Sequence, residues 1–169
     1  MTMRRRAVVS AALLATLLAG CGFKLRVAPT FAFQTLAVTP EKNGLLAADL
    51  IRYFGKAVVP LAPTPGVAPP QVIVDILQES REKSVVGVNA SGQVREFQLK
   101  TRIQFRMRTP EGRDLISPTE ISQQRDISFN ESAVLAKEAE EVLLFRDMQA
   151  DLLQQLLRRL AAIKSLDGG

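Results

Sequence analysis

Histidine is absent from this 169-residue sequence, and only one cysteine, Cys21, and one tyrosine, Tyr53, occur. Without imidazole there is no Ser-His-Asp or Cys-His nucleophilic pairing, and the commonest metal ligand is gone. Those absences argue against hydrolase and metalloenzyme readings. A single cysteine also rules out a disulfide within the chain, so the fold must hold without one. No glycine-rich loop suited to cradling phosphate is present; Gly87, Gly92 and Gly112 are explained by turns. Adjacent carboxylates such as Glu140-Glu141 point different ways on a helix and have no accompanying base or nucleophile, so they carry no acid-base chemistry.

Long apolar runs are scarce too. The longest spans residues 7–18, behind Arg4, Arg5 and Arg6, and ends at the small residues Ala19 and Gly20. About 12 residues at 1.5 Å each cannot cross roughly 30 Å of hydrocarbon, so the segment reads as a secretory signal and not as a membrane span. Leu18-Ala19-Gly20-Cys21 has the form of a bacterial lipobox. Similarity to lipoprotein signals implies removal of residues 1–20, an S-diacylglycerol group on Cys21 and an N-acyl chain on the freed amine. Two or three acyl chains, at about 0.8 kcal/mol per buried CH₂, hold a protein nearly permanently. Gly22 stands where an aspartate favours inner-membrane retention in other lipoproteins, which implies export to the outer membrane. Lys24 and Arg26 in the following leader fit either anionic headgroups or simple solubility.

Charge follows the same division. Loss of the three signal arginines lowers the formal charge from +5 to about +2. So weak a balance argues against a general nucleic-acid binder, and any basic feature must be local.

The remaining 149 of 169 residues suffice for one domain, placed at 35–165 after a lipidated leader at 21–34 and before a flexible tail at 166–169. A short strand at 35–39 stops at Pro40. Asn43 is the expected cap of an amphipathic helix over 44–57, with Leu46, Leu50, Tyr53, Phe54 and Ala57 in its stripe. Residues 60–70 hold five prolines and form an extended surface connection inside the domain. A long hairpin follows, 71–88 and 93–109 about a turn at 89–92. On its second strand Phe97, Leu99, Thr101, Ile103, Phe105 and Met107 face one way, against polar residues on the other. Its length, about 50 Å, carries the tip beyond the core. After a turn at 110–113, alternation over 121–129 marks a further strand. Asn130 or Ser132 caps a last helix of about 30 residues, whose stripe is Leu135, Ala139, Val142, Phe145, Met148, Leu152, Leu156, Leu160 and Ile163. The order predicts an α+β fold: two helices on one face of a mixed, mostly antiparallel four-stranded sheet with a long central hairpin, the first strand pairing parallel through its helical crossover.

Two sets of cations invite a binding role. Lys100, Arg102, Arg106 and Arg108, on one face of a single strand, form a ladder suited to phosphates. Such a ladder is equally a solvated sheet face balanced by Glu79, Glu82 and Asp126. Lys137, near the start of the last helix, opposes the helix dipole, although a lone lysine on a helix is more often mere surface.

The chain resembles the LptE (RlpB) family of lipopolysaccharide-assembly lipoproteins. The resemblance rests on Cys21-Gly22-Phe23-Lys24-Leu25-Arg26, on Ser91-Gly92-Gln93-Val94-Arg95-Glu96-Phe97-Gln98-Leu99, on Gly112-Arg113-Asp114 and on Leu135-Ala136-Lys137, in order along the mature chain. It implies two helices against a mixed four-stranded sheet and no enzymatic activity. It further implies a plug in the outer-membrane β-barrel LptD as a 1:1 complex, anchored by lipid on the periplasmic side. Assistance in barrel assembly and participation in lipopolysaccharide transport follow from the same resemblance. Lipopolysaccharide would be bound through basic residues; Lys137 falls on a matching lysine, with Arg106, Arg102 and Lys100 as further candidates. Ala90 stands where some relatives carry arginine at the hairpin tip, Val27 where they often have glycine, and the long acidic or Ser/Thr-rich tail of some members is missing. The alternative is a periplasm-facing lipoprotein that binds a small apolar or anionic ligand without a barrel partner.

Overall fold

The computed structural model describes residues 29–40 and 44–166. The expectations for the signal, Cys21, the leader up to residue 28, Asn43 and residues 167–169 lie outside the described residues. Elsewhere the chain forms β1 (Leu36–Thr39), α1 (Leu45–Phe54), β2 (Val72–Val88), β3 (Val94–Arg108), β4 (Asp114–Ser128) and α2 (Val134–Ala161). Short 3₁₀ turns at Gly55–Ala57 and Glu131–Ala133 follow α1 and precede α2. The sheet order is β1-β2-β3-β4, with β1 parallel to β2 and the other pairs antiparallel. This is the expected α+β arrangement, with the helical crossover that a parallel pair requires.

Burial explains the order. Leu36 and Val38 of β1, Val72, Val74 and Ile76 of β2, and Ile103, Phe105 and Met107 of β3 meet Leu46 and Leu50 of α1 and Leu152, Leu156 and Leu160 of α2 in one core. Phe31 and Phe33, from the end of the expected leader, join it, their rings 5.0 and 5.8 Å from that of Phe54. Leu166, expected in the tail, packs against the same core, and its carbonyl accepts a hydrogen bond from Arg113. A smaller cluster, Leu99, Ile127 and Met148, continues toward the hairpin tip. Pro118 sits where the β3–β4 register breaks, between the pairs Phe105–Thr119 and Met107–Ile116 of the edge strand, a place that tolerates a residue without an amide donor.

One irregularity reorganises the sheet. Ile76 pairs with Phe105 and Gln78 with Gln104, leaving Leu77 as an extra residue in β2. Side chains alternate along a strand, so one inserted residue exchanges the two faces beyond it. Val72, Val74 and Ile76 face the helices before the bulge; Glu79, Arg81 and Lys83 face them after it. Glu79 then caps α1: its Oε2 accepts from the amides of Leu45 and Leu46 at 3.1 and 3.3 Å, while the N-cap, Gly44, offers no side chain. A carboxylate at this end of a helix also suits its dipole.

The helical stripe of α2 divides likewise. Met148, Leu152, Leu156 and Leu160 are buried as expected, whereas Leu135 is 82% and Val142 67% exposed. From Ala139 through Val142 and Phe145 to Met148 the stripe takes three consecutive steps of three residues, each about 60° short of a full turn. The apolar side of the first half of α2 is therefore rotated outward, and Lys137 and Glu141 point at the sheet instead.

Thr101 lies between the two apolar clusters with a buried hydroxyl that has no hydrogen-bond partner. Thr101→Val, nearly the same shape without the polar atom, is expected to raise the unfolding free energy by about 1 kcal/mol. Ile103→Ala, two residues along the same face, is expected to lower it by about 3 kcal/mol through the cavity left behind. Urea denaturation of both variants measures the contrast.

Candidate binding site

The outward face of β3 carries the cationic ladder, but its members are already engaged. Asp75 of β2, only 6% exposed, accepts from Arg106 Nε at 2.7 Å, Arg108 Nε at 2.8 Å and the Thr39 hydroxyl at 2.6 Å. Burial alone pushes this carboxyl up. The hydrogen bonds from Arg108, Thr39 and Arg106, with the charge of Arg108, outweigh burial and hold it at about 2. Arg102 pairs with Glu82, which balances the ladder as one reading of the sequence has it. Glu79 does not take that part, since the bulge turns it to the helices, and Asp126 accepts instead from Gln98 at 3.1 Å. Among the described residues Lys100 is the one member of the ladder with no ion pair. The clamp residue Asp75 was passed over because it sits in the apolar run 72–76. A lone acid inside such a run, opposite alternate arginines, was the available signal.

Lys137 belongs to a different place. Between the first turns of α2 and the far ends of β3 and β4 lies a pocket of about 210 Å³, floored by Phe97, Ile127, Phe129 and Val134. The rings of Phe97 and Phe129 meet edge to face at 5.3 Å. Lys137 Nζ donates to Ser128 Oγ at 3.0 Å and to Glu140 Oε2 at 2.8 Å. Lys83 lines the same pocket, donates to Glu141 Oε2 at 2.6 Å and lies 4.4 Å above the Phe97 ring. Sequence reasoning missed Lys83, since the bulge that points it inward breaks the alternation by which it would be read. The structure thus unites Lys137 with Lys83 on the helix side, and leaves Lys100, Arg102 and Arg106 on the opposite face of the sheet. Two ammonium groups over an apolar floor can hold the phosphate of an amphiphile in exchange for their carboxylate partners.

Among the described residues no cluster of three or more His, Cys, Asp or Glu residues is placed to hold a metal, and no helix is long and apolar enough to cross a membrane. What the fold and the pocket define is a small α+β domain with two lysines and two glutamates, Lys83, Lys137, Glu138 and Glu141, set over an apolar floor.

Comparison with known proteins is specific. The family described as "LptE: Lipopolysaccharide-assembly" matches residues 33–160. The chain belongs to that family of lipopolysaccharide-assembly lipoproteins. It is 29% identical over 155 residues to the LPS-assembly lipoprotein LptE of Yersinia pestis strain Pestoides F, covering 88% of this chain and 72% of the relative. Among solved structures, lipoprotein B of Nitrosomonas europaea superposes with a TM-score of 0.69 at 34% identity, covering 83% of this chain and 91% of that one. The rare lipoprotein B of Shewanella oneidensis shares the fold, with a TM-score of 0.56 at 22% identity over 76% of this chain and 92% of that one.

Because the Asp75 carboxyl is held at about 2, against 3.8 when free, its contribution to folding is fully present above 3.8 and is lost as pH falls through about 2. The loss is expected to be about 2 kcal/mol. Asp75→Asn should be destabilised near neutral pH and lack this part of the acid transition, as urea midpoints taken across that range will show.

Proposed function

We propose that this chain is a non-enzymatic outer-membrane lipoprotein, held by acyl chains on Cys21 at the periplasmic side, that fills the LptD barrel and engages lipopolysaccharide during its assembly at the cell surface. The observation that carries the reading is the Lys83–Lys137 pocket in a chain of the LptE family. Its cations stand over an aromatic and aliphatic floor, the pairing that a phosphorylated, acylated glycolipid presents in reverse. The open face of the sheet supports the barrel partner. Its row of Gln98, Lys100, Arg102, Gln104 and Arg106 is polar throughout, which suits a water-filled lumen. On this reading the lipid on Cys21 confines the domain, the sheet occupies the pore, and lysine ammonium groups release Glu140 and Glu141 for lipid A phosphates. Lys100, Arg102 and Arg106 act more weakly, because two of the three are already paired with Glu82 and Asp75.

Lys137→Glu is expected to weaken lipopolysaccharide binding about tenfold, the effect of losing roughly 1.4 kcal/mol, while the domain stays folded. Lys83→Gln should act in the same direction. Unchanged binding in both variants removes the pocket from the site. Affinity purification from native membranes is expected to recover a large outer-membrane barrel in equal amount; recovery as a free lipoprotein favours the ligand binder that works without a barrel.

A further inference from the structure

A second cleft, lined by a later stretch of α2 than the Lys137 pocket, has cations with less opposition. It holds about 440 Å³ between α1 and α2, above the part of β2 beyond the bulge. Arg52 comes from α1, Arg81 from β2 and Arg146 from α2. Asp49 is the one acid in the lining, and it is already used: Arg52 pairs with it and the Gln149 amide donates to it. Gln149 in turn accepts from Arg81, whose guanidinium lies 5.3 Å from the centre of the Phe145 ring. The run Arg52–Asp49–Gln149–Arg81 therefore fixes two guanidinium groups before any ligand arrives. Among the described residues Arg146 has no ion pair. Beside these charges stand apolar side chains without cover: Leu45, half exposed, and Val142, 67% exposed, with Leu153 beneath them.

We propose that this cleft binds a phosphate monoester attached to an alkyl chain. Three guanidinium groups against one carboxylate leave about two positive charges, which match the −1.5 to −2 of a monoester and exceed the single charge of a carboxylate or phosphodiester. Guanidinium groups take phosphate oxygens two at a time, and Leu45, Val142 and Leu153 take the methylenes. The outward rotation of the apolar side of α2 thereby gains a partner. Two sources offer that group: the head of the glycolipid invoked above, and a soluble phosphate monoester.

The test uses the processed protein in a neutral detergent, titrated with hexyl phosphate, inorganic phosphate and hexanoate while amide resonances are followed. Hexyl phosphate is expected to bind about tenfold tighter than either of the others, with shifts centred on α1 and the middle of α2. Arg146→Gln and Arg52→Gln, both at exposed positions, should each weaken it severalfold. Val142→Asn should remove the advantage over inorganic phosphate. Lys137→Glu should leave all three titrations unchanged, which separates this site from the Lys137 pocket. Displacement of hexyl phosphate by purified lipopolysaccharide assigns the glycolipid as the source, and its absence assigns the soluble monoester. Binding that is not saturable, that survives both arginine variants, or that vanishes with Lys137→Glu overturns the proposal.

Discussion

The extra residue at Leu77 is the constraint on which the rest of the molecule turns. Before it, β2 gives Val72, Val74 and Ile76 to the helices and closes a dry core. After it, the same strand gives them Glu79, Arg81 and Lys83. A sheet that stayed in register would have presented Gln78, Ser80 and Glu82 to α2 and turned the cations to the open face. The slip of one position therefore makes one end of the domain a conventional interior and the other a polar contact layer. Each of the three turned residues finds a helix partner: Glu79 the amides of α1, Arg81 the side chain of Gln149, Lys83 the carboxylate of Glu141.

Buried and exposed ion pairing are consequently separated along the sheet. At the β1 end, Asp75 ties three strands through Thr39, Arg106 and Arg108, and is buried enough for those bonds to count. Toward the tip, ion pairs such as Lys83–Glu141 and Lys137–Glu140 are partly exposed and contribute about 1 kcal/mol or less each, so little free energy opposes their exchange for another anion. Weak pairing keeps the lysines in place without committing them.

Much of the architecture was legible in the residues. Strict alternation from Phe97 to Met107 fixed β3 and the face it buries, the prolines of 60–70 marked the connection, and the helical spacing of α1 placed Leu46 and Leu50. Family likeness brought Lys137 forward. The bulge was not legible, because an extra leucine between Ile76 and Gln78 has no local signature, and with it were lost Lys83 and the capping role of Glu79. The first half of α2 misled for a geometric reason: apolar residues at 135, 139 and 142 imitate a core stripe while the helix rotates them to the outside. Asp75 was visible but unweighted, since opposite charges on neighbouring strands can be matched only once the register is known.

Pro118 gives the last consequence. It lies in β4, one edge of the sheet, at the point where pairing with β3 is already interrupted. An unbroken fifteen-residue edge would invite a neighbouring chain to add its own strand and start a stack. A ring that lacks an amide hydrogen, set at a break in the ladder, divides that template into unequal pieces, residues 114–117 and 119–128. Along this edge a second copy of the domain is thereby offered no continuous fifteen-residue template.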